Sequence, residues 1–137
     1  MNSIVGTDEI GDVIVISTQG YLNKDLGEDI FALVEKNISD GKKKFIINLA
    51  QSDIVNSIGA SIMIEIIEEL QEADGTLAFC TLAPIVEKTF TIMGLTKYCS
   101  TFESQEAALE HMAWLFDERR HCLNSKIGGF AGLPIEA

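Results

Sequence analysis

Residues 45–64, FIINLAQSDIVNSIGASIMI, decide the fold of this chain. The nearly uninterrupted apolar run at 45–49 is too short for a helix and predicts a buried central strand. After a polar turn, apolar residues recur at helical spacing and predict a helix over residues 57–73. A buried strand that leads through a short turn into a helix is typical of an α/β layer fold.

Ser57 stands at the start of this predicted helix. We expect its hydroxyl to face solvent beside backbone N–H groups that have no partner within the helix. A serine there either caps the helix or accepts a phosphate, whose charge the helix end favours. The residues alone leave both roles open, and the second role would make the domain a switch.

The same helix carries an apolar arc that covers about two-thirds of its circumference, more than one sheet can bury. The arc consists of Ile58, Ala60, Ile62, Met63, Ile64, Ile66, Ile67 and Leu70. Its border with the acidic face is formed by Ser57, Ala60, Ser61 and Ile64. We predict that this border docks a partner, because exposed apolar patches usually have one. The alternative is that another helix or the C-terminal tail covers Ile64.

The rest of the chain alternates between strand and helix periodicity. It predicts a strand at 12–19 paired with residues 4–7, a helix at 25–39, a strand at 76–82, a helix at 84–93, a strand at 97–102 and a last helix capped by Ser104. We therefore predict a single α/β domain, a mixed sheet of about four or five strands with about four helices.

We assign this domain to residues 1–118 and a C-terminal extension to residues 119–137. Glycines and Pro134 in the extension disfavour a continued helix, while Phe130, Leu133 and Ile135 offer apolar anchors. The extension is predicted to be either an irregular strap, on its own domain or on a neighbouring copy, or a mobile tail.

Composition limits the classes of partner. The chain has 137 residues, 47% of them hydrophobic, and a formal net charge of -11. This charge repels nucleic-acid phosphates and anionic lipid surfaces, so we expect neither as a partner. No apolar run reaches the roughly 18 residues that a membrane span needs, and the N-terminus lacks the pattern of a secretory leader. We expect a cytoplasmic protein.

Catalytic chemistry has no support in the sequence. His111 and His121 fall on or after the last predicted helix, outside any nucleophile–base pattern, and are expected at the surface. No glycine-rich phosphate loop is present. Three cysteines form neither a disulfide framework nor a zinc site, and Cys80 is expected in the core. We expect no enzyme, no cofactor and no metal.

Six local strings occur in an order that resembles a known family. They are GYLN at 20–23, FIINLA at 45–50, NSIGA at 56–60, TLAFCTL at 76–82, PIVEKTFTIMGL at 84–95 and the pattern SxxxAL at 104–109. Residues 4–116 are similar to a STAS domain of the anti-sigma factor antagonist type. In that family a DS[ST]G motif opens the second helix, and its first serine is phosphorylated by an anti-sigma factor that is a serine kinase. Ser57 matches that serine, and Gly59 matches the glycine.

The resemblance implies partner switching. The unphosphorylated antagonist binds the anti-sigma serine kinase and frees a sigma factor; the phosphorylated form releases the kinase, and a serine phosphatase resets it. A phosphate adds about -1.5 to -2 charges at pH 7, which opposes desolvation against a partner. The alternative is a phosphorylation-independent STAS scaffold, or a binding subunit of a signalling assembly or transporter complex.

Two positions depart from the family pattern. The aspartate that usually precedes the serine is Asn56, and the acid of the GxLD turn is Asn23. Both changes remove negative charge near Ser57, so a phosphate would be less repelled, or phosphorylation would be altered or lost. The predicted partner-binding residues are Asn23, Asn56, Ser57, Gly59, Ala60, Ser61 and Ile64.

Overall fold

One mixed sheet forms the centre of the molecule in the computed structural model, which describes residues 3–112. Its strands are β1 (Ser3–Ile10), β2 (Val13–Leu22), β3 (Lys44–Val55), β4 (Thr76–Cys80) and β5 (Ser100–Phe102). They lie side by side in chain order. β1 and β2 form an antiparallel hairpin, and every later pair is parallel.

Parallel neighbours need a crossover, and a helix makes each one. The helices are α1 (Lys24–Ser39), α2 (Ser57–Glu72), α3 (Pro84–Ile92) and α4, which is described over residues 105–112. The main core lies between one sheet face and α1, α2 and α3. A smaller core joins the opposite face to α4. In β4, for example, Phe79 belongs to the main core and Ala78 to the smaller one, because side chains alternate along a strand.

The fold class is confirmed: a single α/β domain with a five-stranded mixed sheet and helices on both faces. The predicted hairpin, the helices and the cap of α4 are also present, with Ser104 Oγ accepting a hydrogen bond from the Ala107 N–H at 3.1 Å. The predicted domain boundary at residue 118 and the extension 119–137 lie outside the described residues.

Several element ends were predicted wrongly. The segment after residue 49 is not a polar turn, because β3 continues to Val55 by pairing with the long strand β2. Polar side chains are compatible with a strand whose backbone hydrogen bonds come from its neighbour. The predicted strand at 97–102 is also too long, since Leu95–Lys97 is a 3₁₀ turn and β5 has three residues.

The pairing of β3 with β2 contains two irregularities, which determine where β3 ends relative to β2. Ser17 pairs with Asn48 and Leu22 pairs with Val55, so β3 uses two more residues than β2 over this stretch. The register shifts lie between Ser17 and Gln19 and between Gln19 and Tyr21. Such bulges bend a strand and redirect its side chains. They bring the ends of β2 and β3 level, so that α1 and α2 begin side by side.

Candidate functional site

The candidate site lies where β2 and β3 end and α1 and α2 begin. Leu22 and Val55 are register partners, and the Asn56 N–H donates to the Leu22 carbonyl at 3.2 Å. The predicted residues Asn23 and Ser57 therefore follow the same edge of the sheet. Carboxyl ends of neighbouring parallel strands are a common location for functional residues in α/β sheets.

Asn56, and not Ser57, is the N-cap of α2. Its Oδ1 accepts a hydrogen bond from the Gly59 N–H at 2.7 Å, and its backbone is extended. Ser57 is the first helical residue and is exposed. The interpretation of Ser57 as a cap is therefore wrong. The sequence held the signal for this, because asparagine is as good a capping residue as serine.

Asn23 performs the corresponding task for α1. Its Oδ1 accepts from the Leu26 N–H at 3.1 Å. Asn23 also lies close to the start of α2, since a Cβ built on Gly59 would be 3.3 Å from the Asn23 Cα and 2.8 Å from the Leu22 carbonyl carbon. The absence of a side chain at Gly59 thus lets the first turn of α2 approach the end of β2. The two predicted asparagines are brought together, and both are neutral caps.

The predicted contact strip is exposed only in part. Ser57 and Ser61 are exposed and Ile64 is partly buried against the main core. Ala60 has no exposed surface, so its placement on the strip border is wrong. Ala60 belongs to the main core, where a small side chain allows α2 to lie close to its neighbours. Gly59 is buried as well and presents no surface to a partner.

Ile58 was assigned to the same helix face as Ile62, but the two differ in burial. Ile62 is 8% exposed and packs against Gly27 of α1, whereas Ile58 is 52% exposed. One turn before Ile62, α1 has only just begun and does not cover α2. The first turn of α2 therefore presents an apolar side chain beside Ser57.

Two further exposed apolar side chains lie near the strand ends that lead into α1 and α2, and they were not predicted. Tyr21 and Ile54 are register partners near the ends of β2 and β3, and they are 38% and 55% exposed. We refer to Tyr21, Ile54 and Ile58 as the apolar patch. The patch was not predictable from the sequence, because the segment containing Ile54 was interpreted as a polar turn. An exposed isoleucine on a strand end is recognisable only when the strand and its register are known.

Within residues 3–112, the two cysteines, Cys80 and Cys99, carry no activated thiol. Cys80 is buried, as predicted, and burial raises the pKa of its thiol. Burial also raises the pKa of Cys99 to about 12. His111 lies on α4 as predicted and is only partly exposed, because it packs against the Phe102 ring, with ring centroids 4.9 Å apart; burial lowers its pKa. Both thiols are thus protonated at neutral pH, in the form that is a poor nucleophile.

Among residues 3–112, no group of three or more histidine, cysteine or acidic side chains is arranged to hold a metal ion. Within the same residues, no helix is both long enough and apolar enough to cross a membrane.

Comparisons with known proteins agree with the fold and with the order of its elements. The family model for the STAS domain matches residues 5–108. BtrV of Bordetella bronchiseptica, assigned as an anti-sigma factor antagonist, is 26% identical over 101 residues, which are 74% of this chain and 87% of BtrV.

Solved structures share the fold at lower sequence identity. A Thermotoga maritima protein assigned as an anti-sigma factor antagonist is 16% identical with a TM-score of 0.72, over 77% of this chain and 92% of that chain. The Bacillus anti-sigma factor antagonist SpoIIAA in its phosphorylated form is 21% identical with a TM-score of 0.64, over 78% of this chain and 97% of that chain.

Proposed function

Because the chain belongs to the STAS domain family, we propose that it is an anti-sigma factor antagonist whose binding to an anti-sigma serine kinase is controlled by phosphorylation of Ser57. One observation carries the proposal. Ser57 is exposed at the first position of α2, while Asn56 supplies the cap. The Ser57 hydroxyl is therefore accessible to a kinase, and the fold does not depend on it.

The physical basis of the proposed switch is the charge that a phosphate on Ser57 would add at the edge of an apolar contact with the partner. Ile58 directly follows Ser57 and is exposed, and Tyr21 and Ile54 are exposed near the strand ends that precede Asn23 and Ser57. We expect a partner that covers these side chains to desolvate the Ser57 side chain as well. A hydroxyl tolerates this, but a phosphate with about -1.5 to -2 charges does not unless the partner supplies cations. Phosphorylation would therefore release the partner without any change in fold.

The proposed partner surface consists of Ser57, Ser61 and Ile64 on α2, the capping residues Asn23 and Asn56, and the apolar patch. The phosphorylated form in which SpoIIAA was solved supports a phosphorylation cycle. A serine phosphatase would complete that cycle by restoring the hydroxyl. This role is regulatory, requires no catalytic residue in the chain itself, and would be carried out in the cytoplasm.

Two substitutions of Ser57 test the proposal. Ser57→Ala should retain kinase binding and resist release by Mg-ATP. Ser57→Asp should bind about a hundredfold more weakly, because a charge placed in a desolvated contact costs several kcal/mol. Binding is measured by calorimetry with the purified anti-sigma kinase, and phosphate incorporation by mass spectrometry.

Ser61 provides the matched control, because it is also an exposed serine and lies one turn further along α2. Ser61→Ala should still gain phosphate on Ser57, because Ser61 is not the proposed phosphate acceptor. Equal affinity of the kinase for the wild type, Ser57→Ala and Ser57→Asp would reject the switch.

One observation favours a second candidate function, a STAS scaffold that binds its partner without phosphorylation. Asn23 and Asn56 stand where the family usually has acids, and both act as neutral caps. If the kinase recognises its substrate through those acids, it should phosphorylate this chain poorly. A partner that binds the apolar patch tightly, while Ser57 gains no phosphate in the presence of Mg-ATP, would establish the scaffold.

A further inference from the structure

A buried pair of hydroxyl groups lies on the two strands that lead to the candidate site. Thr18 of β2 and Ser52 of β3 are 2% and 1% exposed, and their hydroxyl oxygens are 2.7 Å apart. One hydroxyl donates to the other. Buried polar groups are scarce elsewhere in the described core, where Lys44 is the remaining example. Neither hydroxyl can contact a partner, so the pair must act within the fold.

The pair lies within the stretch where β3 is bulged. Ser17 pairs with Asn48, Gln19 with Gln51 and Tyr21 with Ile54, so β3 gains one residue in each interval. The buried positions of β3 accordingly change their spacing. Among the positions of β3 in the main core, Phe45, Ile47 and Leu49 are every second residue, whereas the buried Ser52 and the partly buried Val55 then follow at intervals of three. Each bulge returns a side chain to the face covered by the helices.

A register without bulges is the natural competitor. Continued regularly from Ser17 and Asn48, it would place Thr18 opposite Leu49 and Leu22 opposite Asp53. Asn56 would then lie beyond the end of β2. It would lose its hydrogen bond to the Leu22 carbonyl, and Gly59 would no longer lie against Asn23. The Thr18 hydroxyl would also lose its partner in the core, which disfavours this register.

We propose that Thr18 and Ser52 are positioning residues, whose hydrogen bond selects the bulged register of β3 and thereby holds Asn56 and Ser57 against the start of α1. This inference rests on the proposed function, because it concerns the placement of the same serine. It assigns a role to two residues that are remote from the surface. It also gives a reason for two hydroxyls at positions where valine and alanine would fill a similar volume.

Amide hydrogen exchange on the full chain tests the positioning directly. The reporters are the N–H groups of Asn56 and Gly59, which donate to the Leu22 carbonyl and to Asn56 Oδ1. Thr18→Val removes the hydroxyl and keeps the shape, and it should accelerate exchange of both reporters about tenfold. Thr18→Ser keeps the hydroxyl and should leave them at the wild-type rate.

Ile46→Val is the matched control, because Ile46 is fully buried in the smaller core on the other sheet face. It should lower overall stability without selective exchange at Asn56 and Gly59. Equal acceleration of the two reporters in Thr18→Val and Ile46→Val would overturn the proposal.

The double variant Thr18→Val/Ser52→Ala separates positioning from stability. With both hydroxyls removed, neither is left without a partner, so the melting temperature should return close to that of the wild type. The reporters should still exchange fast, because the hydroxyl pair then no longer disfavours the unbulged register. Recovery of both the melting temperature and slow exchange would overturn the proposal.

The rate of Ser57 phosphorylation tests whether the Thr18–Ser52 pair affects the proposed function. The initial rate of phosphate transfer to Ser57 in the double variant should fall about tenfold, because misplacement of a reacting group by about 1 Å is costly. A wild-type rate in the double variant would overturn the proposal. If the wild-type chain accepts no phosphate from any anti-sigma kinase, the proposed function fails, whereas the exchange comparison still decides the positioning.

Discussion

Asn56 and Ser57 divide two tasks at the start of α2. The side chain of Asn56 satisfies the Gly59 N–H, one of the backbone donors that have no partner within the helix. Ser57 is left with its hydroxyl exposed. A serine that also capped the helix would have its hydroxyl oxygen engaged with a backbone N–H group. With separate residues, modification of Ser57 can change binding and leave the helix start intact.

The division of tasks is measurable in stability. Asn56→Ala should lower the free energy of unfolding by about 1 kcal/mol, the usual effect of removing an N-cap. Ser57→Ala should change it by less than about 0.5 kcal/mol, as is typical of an exposed position. Urea denaturation of both variants gives the two values. Asn56→Asp keeps an acceptor oxygen and serves as the control. Equal losses for the two alanine variants would contradict the assignment of the cap.

At the scale of elements, α2 approaches the end of β2 closely, and Gly59 makes this approach possible. A Cβ at this position would overlap the Leu22 carbonyl group, which is backbone and cannot swing aside. The neighbouring helix is also close, since a Cβ on Gly27 would be 3.0 Å from the Ile62 Cδ1. Packing at both points places the starts of α1 and α2 together.

Gly59→Ala should destabilise the protein by about 1–3 kcal/mol, because overpacking against backbone forces α2 away from β2. The gain in helix propensity, about 1 kcal/mol, opposes this loss and should not exceed it. Gly6→Ala is the control, since its nearest neighbour would be 4.0 Å away. Chemical denaturation compares the two, and a Gly59→Ala variant as stable as Gly6→Ala would disprove the close approach.

At the scale of the whole molecule, the charge of -11 dominates the electrostatics. Part of it is concentrated on the outer face of α2, where Glu65, Glu68 and Glu72 are exposed. The ion pairs Lys42–Glu9 and Lys44–Asp12 lie at the other end of the sheet, around the start of β3. Repulsion among like charges destabilises a compact chain. A partner for this surface would have to be basic or uncharged where it meets α2.

Salt should therefore stabilise the protein. Raising monovalent salt to about 0.15 M reduces the Debye length to about 8 Å and screens the repulsion, so the melting temperature should rise. The variant Glu65→Gln/Glu68→Gln/Glu72→Gln should show a smaller rise. Calorimetry in buffers of matched pH measures both. A melting temperature that falls with salt would mean that the ion pairs outweigh the repulsion.

The local pattern of the sequence determined the order and type of the elements. Apolar residues recur every second position in a half-buried strand and every three to four positions in a helix, so a short run of sequence distinguishes the two. The same pattern placed Ser57 at a helix start. Capping was one of the two roles that the residues left open for Ser57, and Asn56 performs it, because asparagine satisfies the same preference as serine. The resemblance of the local strings to the STAS family was confirmed by the family match over residues 5–108.

Tertiary structure decided where β3 ends and what faces solvent around Ser57. The extension of β3 to Val55 depends on hydrogen bonds from β2, and its bulges depend on which residues of β2 lie opposite. Ala60 is buried and Ile58 is exposed because different faces of α2 meet the main core and the solvent. These properties arise between segments that are distant in sequence. Residue pattern alone therefore located the serine, while the neighbouring strand and helix determined the surface that surrounds it.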